Sequence, residues 1–131
     1  MERARLASIP LFADLQEADL ELIADVASET DAAVGDALVT EGDFGYALYA
    51  IESGTADVTH DGASVATLGP GDVFGEMAVI QSGRRTATVV ATSPMRLITL
   101  FNRDVWALER SAPDVTTRLR ELIGSRRQPE S

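Results

Sequence analysis

The sequence predicts a mainly β domain, a sandwich or barrel of short strands with helices at both ends. Three observations carry this. From Thr30 to Phe101, short apolar or β-branched runs alternate with turn signals such as Gly35-Asp36, Glu41-Gly42-Asp43, Ser53-Gly54, Asp61-Gly62, Gly69-Pro70-Gly71 and Ser93-Pro94. These signals recur every 8–12 residues or so, the rhythm of an all-β sandwich or barrel rather than of βαβ units. On either side of that stretch the apolar period becomes helical.

The elements follow in order. Ile9-Pro10-Leu11-Phe12 reads as an apolar plug with a turn. Residues 16–27 read as a helix, because Leu15, Leu22, Ile23 and Val26 share one stripe. Strand candidates are 31–34, 37–40, 47–51, 55–60, 64–68, 86–91 and 95–101. Ala56 and Val58 alternate with Asp57 and Thr59, the period of a half-buried strand. His60-Asp61-Gly62-Ala63 suits a two-residue type I′ hairpin, whose central residues both need positive φ. Asn102 or Asp104 is placed to cap a helix running to about Arg110. Ser111-Ala112-Pro113-Asp114 has the capping hydroxyl, early proline and first-turn acid of a second helix start. That helix carries Val115, Leu119, Leu122 and Ile123 on one stripe, read as packing on its own barrel, and Gly124 as its stop. The expected organisation is one domain over 1–124 and a polar tail over 125–131.

Composition excludes several function classes. A chain of 131 residues with 45% hydrophobic residues is long enough to bury a core as a single domain. Absence of cysteine excludes a disulfide scaffold, an iron–sulfur cluster and a thiolate zinc site. The one histidine, His60, argues against a multi-histidine metal enzyme and against a triad hydrolase. It stands beside a turn, where exposure is expected. The chain is therefore read as a non-enzyme with no cofactor. No apolar run approaches the roughly 20 residues that span a bilayer, and no signal peptide is evident, so a cytoplasmic protein without membrane contact is expected.

Charge is uneven. Net charge is −10, all 11 basic residues are arginine, and residues 1–83 hold 16 acids against two arginines. Residues 84–131 hold nine arginines and five acids. So acidic a chain is not expected to bind nucleic acid directly, since phosphate contacts dominate that affinity. Arg84-Arg85 is the exception to a solvated polar pattern, because it sits between two apolar stretches.

The chemistry lies in the segment Gly75-Glu76-Met77-Ala78-Val79-Ile80 and in Arg85-Thr86 downstream of it. Gly75 permits a tight turn and leaves space beside it. One short helical turn over 76–80 would present N–H groups without intrahelical partners, and a guanidinium beside such groups is a phosphate site. A carboxylate there must face neutral hydroxyls, so Glu76 suits a sugar next to the phosphate. The competing reading of Arg85 is structural, paired with an acid such as Asp72 or Glu76. Trp106, on a helix, reads as a packing residue.

Phe74-Gly75-Glu76-Met77-Ala78 followed by Arg85-Thr86-Ala87-Thr88-Val89 resembles the phosphate-binding cassette of cyclic-nucleotide-binding domains. This family includes the catabolite activator protein and the regulatory subunits of protein kinase A. The glycine turns at 35, 42, 54, 69 and 71 and the Leu48-Tyr49 pair are similar in order, so the resemblance covers about Leu6 to Gly124. It implies a β-roll, or jelly-roll-like barrel, of about eight antiparallel strands. One N-terminal helical segment, a short cassette helix and two C-terminal helices complete the implied fold. It implies that Glu76 binds the ribose 2′-hydroxyl and Arg85 the cyclic phosphate of cAMP or cGMP. The backbone at Gly75, Met77 and Ala78 would receive the ligand, Thr86 would contact phosphate or a guanine amino group, and Val58 and Val65 would line the base pocket. The implied function is a regulatory sensor that passes occupancy through its C-terminal helices to an unidentified effector protein, with a possible homodimer through the last helix. The alternative is a structural or interaction module on the same fold without ligand binding. Two features depart from the family pattern: Arg84 stands where proline is frequent, and the last helix is short.

Overall fold

A computed structural model describes residues 1–75, 85 and 87–125, with side chains described as far as Leu122. Three helices precede the strands: α1 Arg3–Ala7, α2 Pro10–Ala13 and α3 Glu17–Val26. Eight strands follow: β1 Ser28–Ala32, β2 Ala37–Val39, β3 Ala47–Ser53, β4 Ala56–His60, β5 Ala63–Leu68, β6 Val73–Phe74, β7 Thr88–Ala91 and β8 Met95–Phe101. Two helices close the described chain, α4 Asn102–Ser111 and α5 Pro113–Ser125. The strands form two antiparallel four-stranded sheets, ordered β1-β8-β3-β6 and β2-β7-β4-β5. The mainly β fold with flanking helices is therefore as expected.

The core has two layers. Between the sheets lie Ile51, Val58, Leu68, Phe74, Val89, Met95 and Leu97. On the other side of the first sheet, Leu48, Ala50, Ile98 and Leu100 meet the helices through Leu6, Phe12, Ile23, Val105, Val115 and Leu119. Strands β3 and β8 are thus covered on both faces, which is why their sequences are nearly continuous apolar runs. Their pairing, from Ala47↔Phe101 to Ile51↔Leu97, forms the spine of the fold. The β4–β5 hairpin turns at Asp61 (φ 51°) and Gly62 (φ 82°), the two positive φ values that the type I′ reading required.

Several expectations shift. The expected single N-terminal helical segment is three helices, because the Ile9–Phe12 plug is itself helical, with Pro10 at the first helical position and Leu11 and Phe12 buried. In α3 the buried face is Asp19, Leu20, Ile23 and Ala24, so Leu22, at 36% exposure, leaves the assigned stripe. β1 begins at Ser28 rather than residue 31, since its register on β8 runs from Ser28↔Thr99 to Ala32↔Met95. Val34 is then exposed. Neither Asn102 nor Asp104 caps α4, whose N-cap is Phe101, and Ser111 Oγ donates back to the Leu108 carbonyl instead of capping α5. Helix α5 passes Gly124 by one residue. Val115 and Leu119 are buried against the chain's own core, as expected; the Ile123 side chain and residues 126–131 lie outside the described set.

Ion pairs tie the helices to the sheet. Arg5 of α1 donates to Glu29 of β1 (2.7 Å) and to both carboxylate oxygens of Glu52 on β3 (3.1 and 2.5 Å). Arg118 of α5 holds the buried Asp19 of α3 in a two-point contact at 2.5 and 2.8 Å. Hydrogen bonds from Arg5 and from Arg120 hold the Glu29 and Glu109 carboxyls below the usual carboxylate range. A lowered folded-state pKa stabilises the fold above the unfolded value, near 4.3 for glutamate, and that contribution disappears as pH falls through the folded value. Urea unfolding followed from pH 6 to 3 should therefore show a midpoint that falls in the acid limb. Pairing Arg5→Gln with Arg120→Gln should make that fall shallower; an unchanged acid slope would show that neither pair matters.

Candidate functional site

The site assembles around Arg85. Its backbone N–H donates to the Asp43 carbonyl (2.6 Å), and its own carbonyl accepts the Gly42 N–H (2.9 Å). The residue is thereby stitched to the turn before β3, and only 8% of it is exposed. Its guanidinium donates through one nitrogen to the Gly75 carbonyl (2.9 Å) and through the other to the Ala47 carbonyl (2.6 Å). Two carbonyls from separate segments fix the plane of the group, which is what a planar donor needs in order to present a directed face.

Two glycines make room for it. A Cβ at Gly75 would lie 2.8 Å from both the Ala47 carbonyl oxygen and an Arg85 nitrogen, and the residue has φ +75°. A Cβ at Gly45 would lie 2.9 Å from the Arg85 guanidinium carbon. Any larger side chain at either position must displace the arginine.

Arg85 forms part of the wall of an open cavity of about 500 Å³, with Ala37, Leu38 and Val39 of β2, Thr40, Asp43, Phe44 and Tyr46 from the segment that follows, and Tyr49 of β3. Small-ligand sites fall in a similar range, with mostly apolar walls and a few directed polar groups. Tyr49 stacks on Phe74, centroids 5.1 Å apart, through the Tyr49↔Phe74 rung of β3 and β6 that leads directly into Gly75. The turn before the cavity is braced by Glu41, whose carboxylate accepts the Asp61 N–H (3.2 Å) and lies 3.3 Å from His60 Nδ1.

The sequence-predicted residues divide as follows. Gly75 and Arg85 come together: Arg85 lines the cavity, and the Gly75 carbonyl accepts from its guanidinium. Glu76, Met77, Ala78, Arg84 and Thr86 lie outside the described residues. Val58 is buried between the sheets. Pairing runs Val58↔Ala66 and then Thr59↔Ser64, so Val65 is the extra residue of a β-bulge and stands 50% exposed. Ala66, not Val65, packs beside Val58 against the core. Neither valine belongs to the cavity wall drawn by the described residues. Asp72 is not a partner of Arg85; it accepts the N–H of Gly69 (2.8 Å) and closes its own turn. Trp106 is not a packing residue: the buried face of α4 is Asn102, Val105 and Leu108, and Trp106 is 42% exposed.

Sequence reasoning missed the cavity wall from β2 and β3 and the role of Asn102. The backbone N–H of Asn102 donates to Tyr46 (2.9 Å), and its buried side-chain amide donates to the Gly45 carbonyl (3.3 Å). The first residue of α4 is thus bonded to the segment whose next residue, Ala47, holds Arg85. An asparagine directly after a long apolar strand was the available signal.

The chain belongs to the cyclic nucleotide-binding domain family, whose sequence model matches residues 30–111. It is 40% identical over 97 residues to a cAMP-dependent protein kinase regulatory subunit of Yarrowia lipolytica, covering 72% of this chain and 26% of that protein. It is 35% identical over 122 residues to the Cyclic AMP receptor protein of Thermus thermophilus, covering 89% of this chain and 56% of that one. The N-terminal domain of a transcriptional regulator from Streptomyces coelicolor superposes with a TM-score of 0.79 at 31% identity, over 93% of this chain and 89% of the other. The chain thus spans between a quarter and just over half the length of these two curated relatives. Among the described residues no helix is long and apolar enough to cross a membrane.

Proposed function

We propose that this chain is a regulatory sensor that binds cAMP or cGMP, with Arg85 receiving the cyclic phosphate. The observation that carries this is a nearly buried arginine whose plane is set by two carbonyls at the wall of a ligand-sized cavity. In the reading taken from the family resemblance, Glu76 accepts the ribose 2′-hydroxyl. The backbone at Gly75, Met77 and Ala78 cradles the phosphate, and Thr86 adds a hydroxyl to phosphate or base. Val58 supports the base-side wall from the core, and Val65 flanks it. The names of the relatives favour cAMP, whereas a hydroxyl at Thr86 suits cGMP.

A ligand biases two states only through contacts that differ between them. Here phosphate draws on the same guanidinium that the Gly75 and Ala47 carbonyls hold in plane, so binding loads the two segments that carry those carbonyls. Any shift of the 45–47 segment pulls on Asn102 and hence on α4. Helices α4 and α5 are the output in this reading, toward an effector protein or a second copy through α5.

Calorimetric titration with each nucleotide tests the reading, after unfolding and refolding to strip any carried-over ligand. One-site binding of at least one of them is expected, with micromolar or tighter affinity, about −8 kcal/mol or better. Absence of heat with either, from protein shown to be folded, would leave the interaction-module alternative in its place.

A further inference from the structure

Helix α4 carries a feature that ligand binding does not use. Of the described arginines, Arg3, Arg5, Arg96, Arg118 and Arg120 each lie against a carboxylate, and Arg85 holds two carbonyls. Arg103 and Arg110 have no such partner among the described residues. Both are exposed, and both lie on α4 at positions i and i+7, with Trp106 at i+3 and the small Ala107 at i+4 between them. Helical spacing puts all four on one face. That face holds two positive charges and no acid, whereas the whole chain carries −10. The Arg103 guanidinium lies over the Phe101 ring, its central carbon 5.2 Å from the centroid, so this charge is already placed on the surface of α4 without a carboxylate among the described residues to neutralise it. Trp106 is the only tryptophan of the chain and 42% of it faces solvent.

Tryptophan and arginine are the side chains most often found at the energetic centres of protein interfaces. We infer that the Arg103–Trp106–Arg110 face docks a partner protein presenting a short acidic segment around an apolar side chain. The apolar group covers Trp106 and lies over Ala107, while carboxylates pair with the arginines on either side. A second copy of this chain is a poorer occupant: a two-fold contact of this face with itself sets arginine against arginine, and a head-to-tail contact onto the acidic half of another copy leads to a ring or an open filament rather than to the common two-fold dimer. Extended polyanions such as nucleic acid or an anionic membrane also meet the remaining negative surface, whereas a short acidic segment meets only this face. The inference stands on α4 alone and does not depend on the nucleotide.

The test is fluorescence anisotropy of a labelled acidic peptide, EDEFLEDE, titrated with the full chain at low salt. The basic counterpart RKRFLRKR serves as control. Saturable micromolar binding of the acidic peptide is expected. It should weaken by about tenfold or more in Arg103→Glu/Arg110→Glu and again in Trp106→Ala, and fall with added salt. These side chains are exposed, and circular dichroism of each variant checks that its fold is kept. No binding up to about 1 mM peptide overturns the inference, as does equal affinity in the variants or equal binding of the basic peptide. Self-association abolished by Arg103→Glu would make the occupant a second copy instead. Tighter binding to a dT oligonucleotide, or to vesicles of phosphatidylcholine and phosphatidylglycerol at 3:1, would reassign the face to nucleic acid or membrane.

Discussion

Arg85→Ala is expected to weaken cyclic-nucleotide binding by about 100-fold or more. A hydrogen bond to a charged group contributes about 1.5–3 kcal/mol, so two from one guanidinium to a cyclic phosphate correspond to about 10²–10⁴ in affinity. The same change strips the Gly75 and Ala47 carbonyls of their donor in a buried place, at about 1–3 kcal/mol each. The melting temperature should fall as well, and affinity has to be compared well below the transition of the variant. Arg85→Lys separates the two effects. It keeps a charge at the cavity wall but not the planar fork, so its affinity should lie between wild type and alanine. An alanine variant that binds within about threefold of wild type while folded would place the phosphate on some other group.

What the sequence could reveal depended on how local each cause was. The type I′ turn at Asp61-Gly62 was legible because two residue types that tolerate positive φ stand together between strand patterns. Strands β3 and β8 were legible as apolar runs, since both of their faces are covered. Helices α1 and α2, five and four residues long, are too short to display a period, and β6 has only two residues. β1 reads Ser-Glu-Thr-Asp-Ala, a polar edge whose identity as a strand comes from its pairing with β8. Trp106 misled because residue type suggests a core position, while the face it occupies is set by Asn102, Val105 and Leu108. At the site, Gly75 and Arg85 were legible from one contiguous motif. Leu38, Tyr46 and Tyr49 were not, because they meet only when the two sheets close around the cavity. The bulge at Val65 was not legible for a similar reason: the extra residue changes the facing of the strand without marking the sequence.

Phe12→Ala should produce the largest loss of stability, about 3–5 kcal/mol, as for a fully buried phenylalanine with little freedom to collapse. Phe12 sits in the layer that joins the N-terminal helices to Val115 and Leu119 of α5 and to Leu48 and Leu100 of the sheet. Its four-residue helix has no length with which to hold itself, so tertiary packing carries it. Urea unfolding should show a lower midpoint at unchanged slope, and the melting temperature should drop by about 10–20 °C. The cavity lies on the opposite side of the first sheet from Phe12. Nucleotide affinity of the still-folded variant should then remain within about twofold of wild type. A loss below about 1 kcal/mol would mean that the helices contribute little to the fold. An affinity change well beyond twofold at low temperature would show instead that the helical layer and the cavity are energetically one unit, with α5 reporting on Arg85 through the sheet between them.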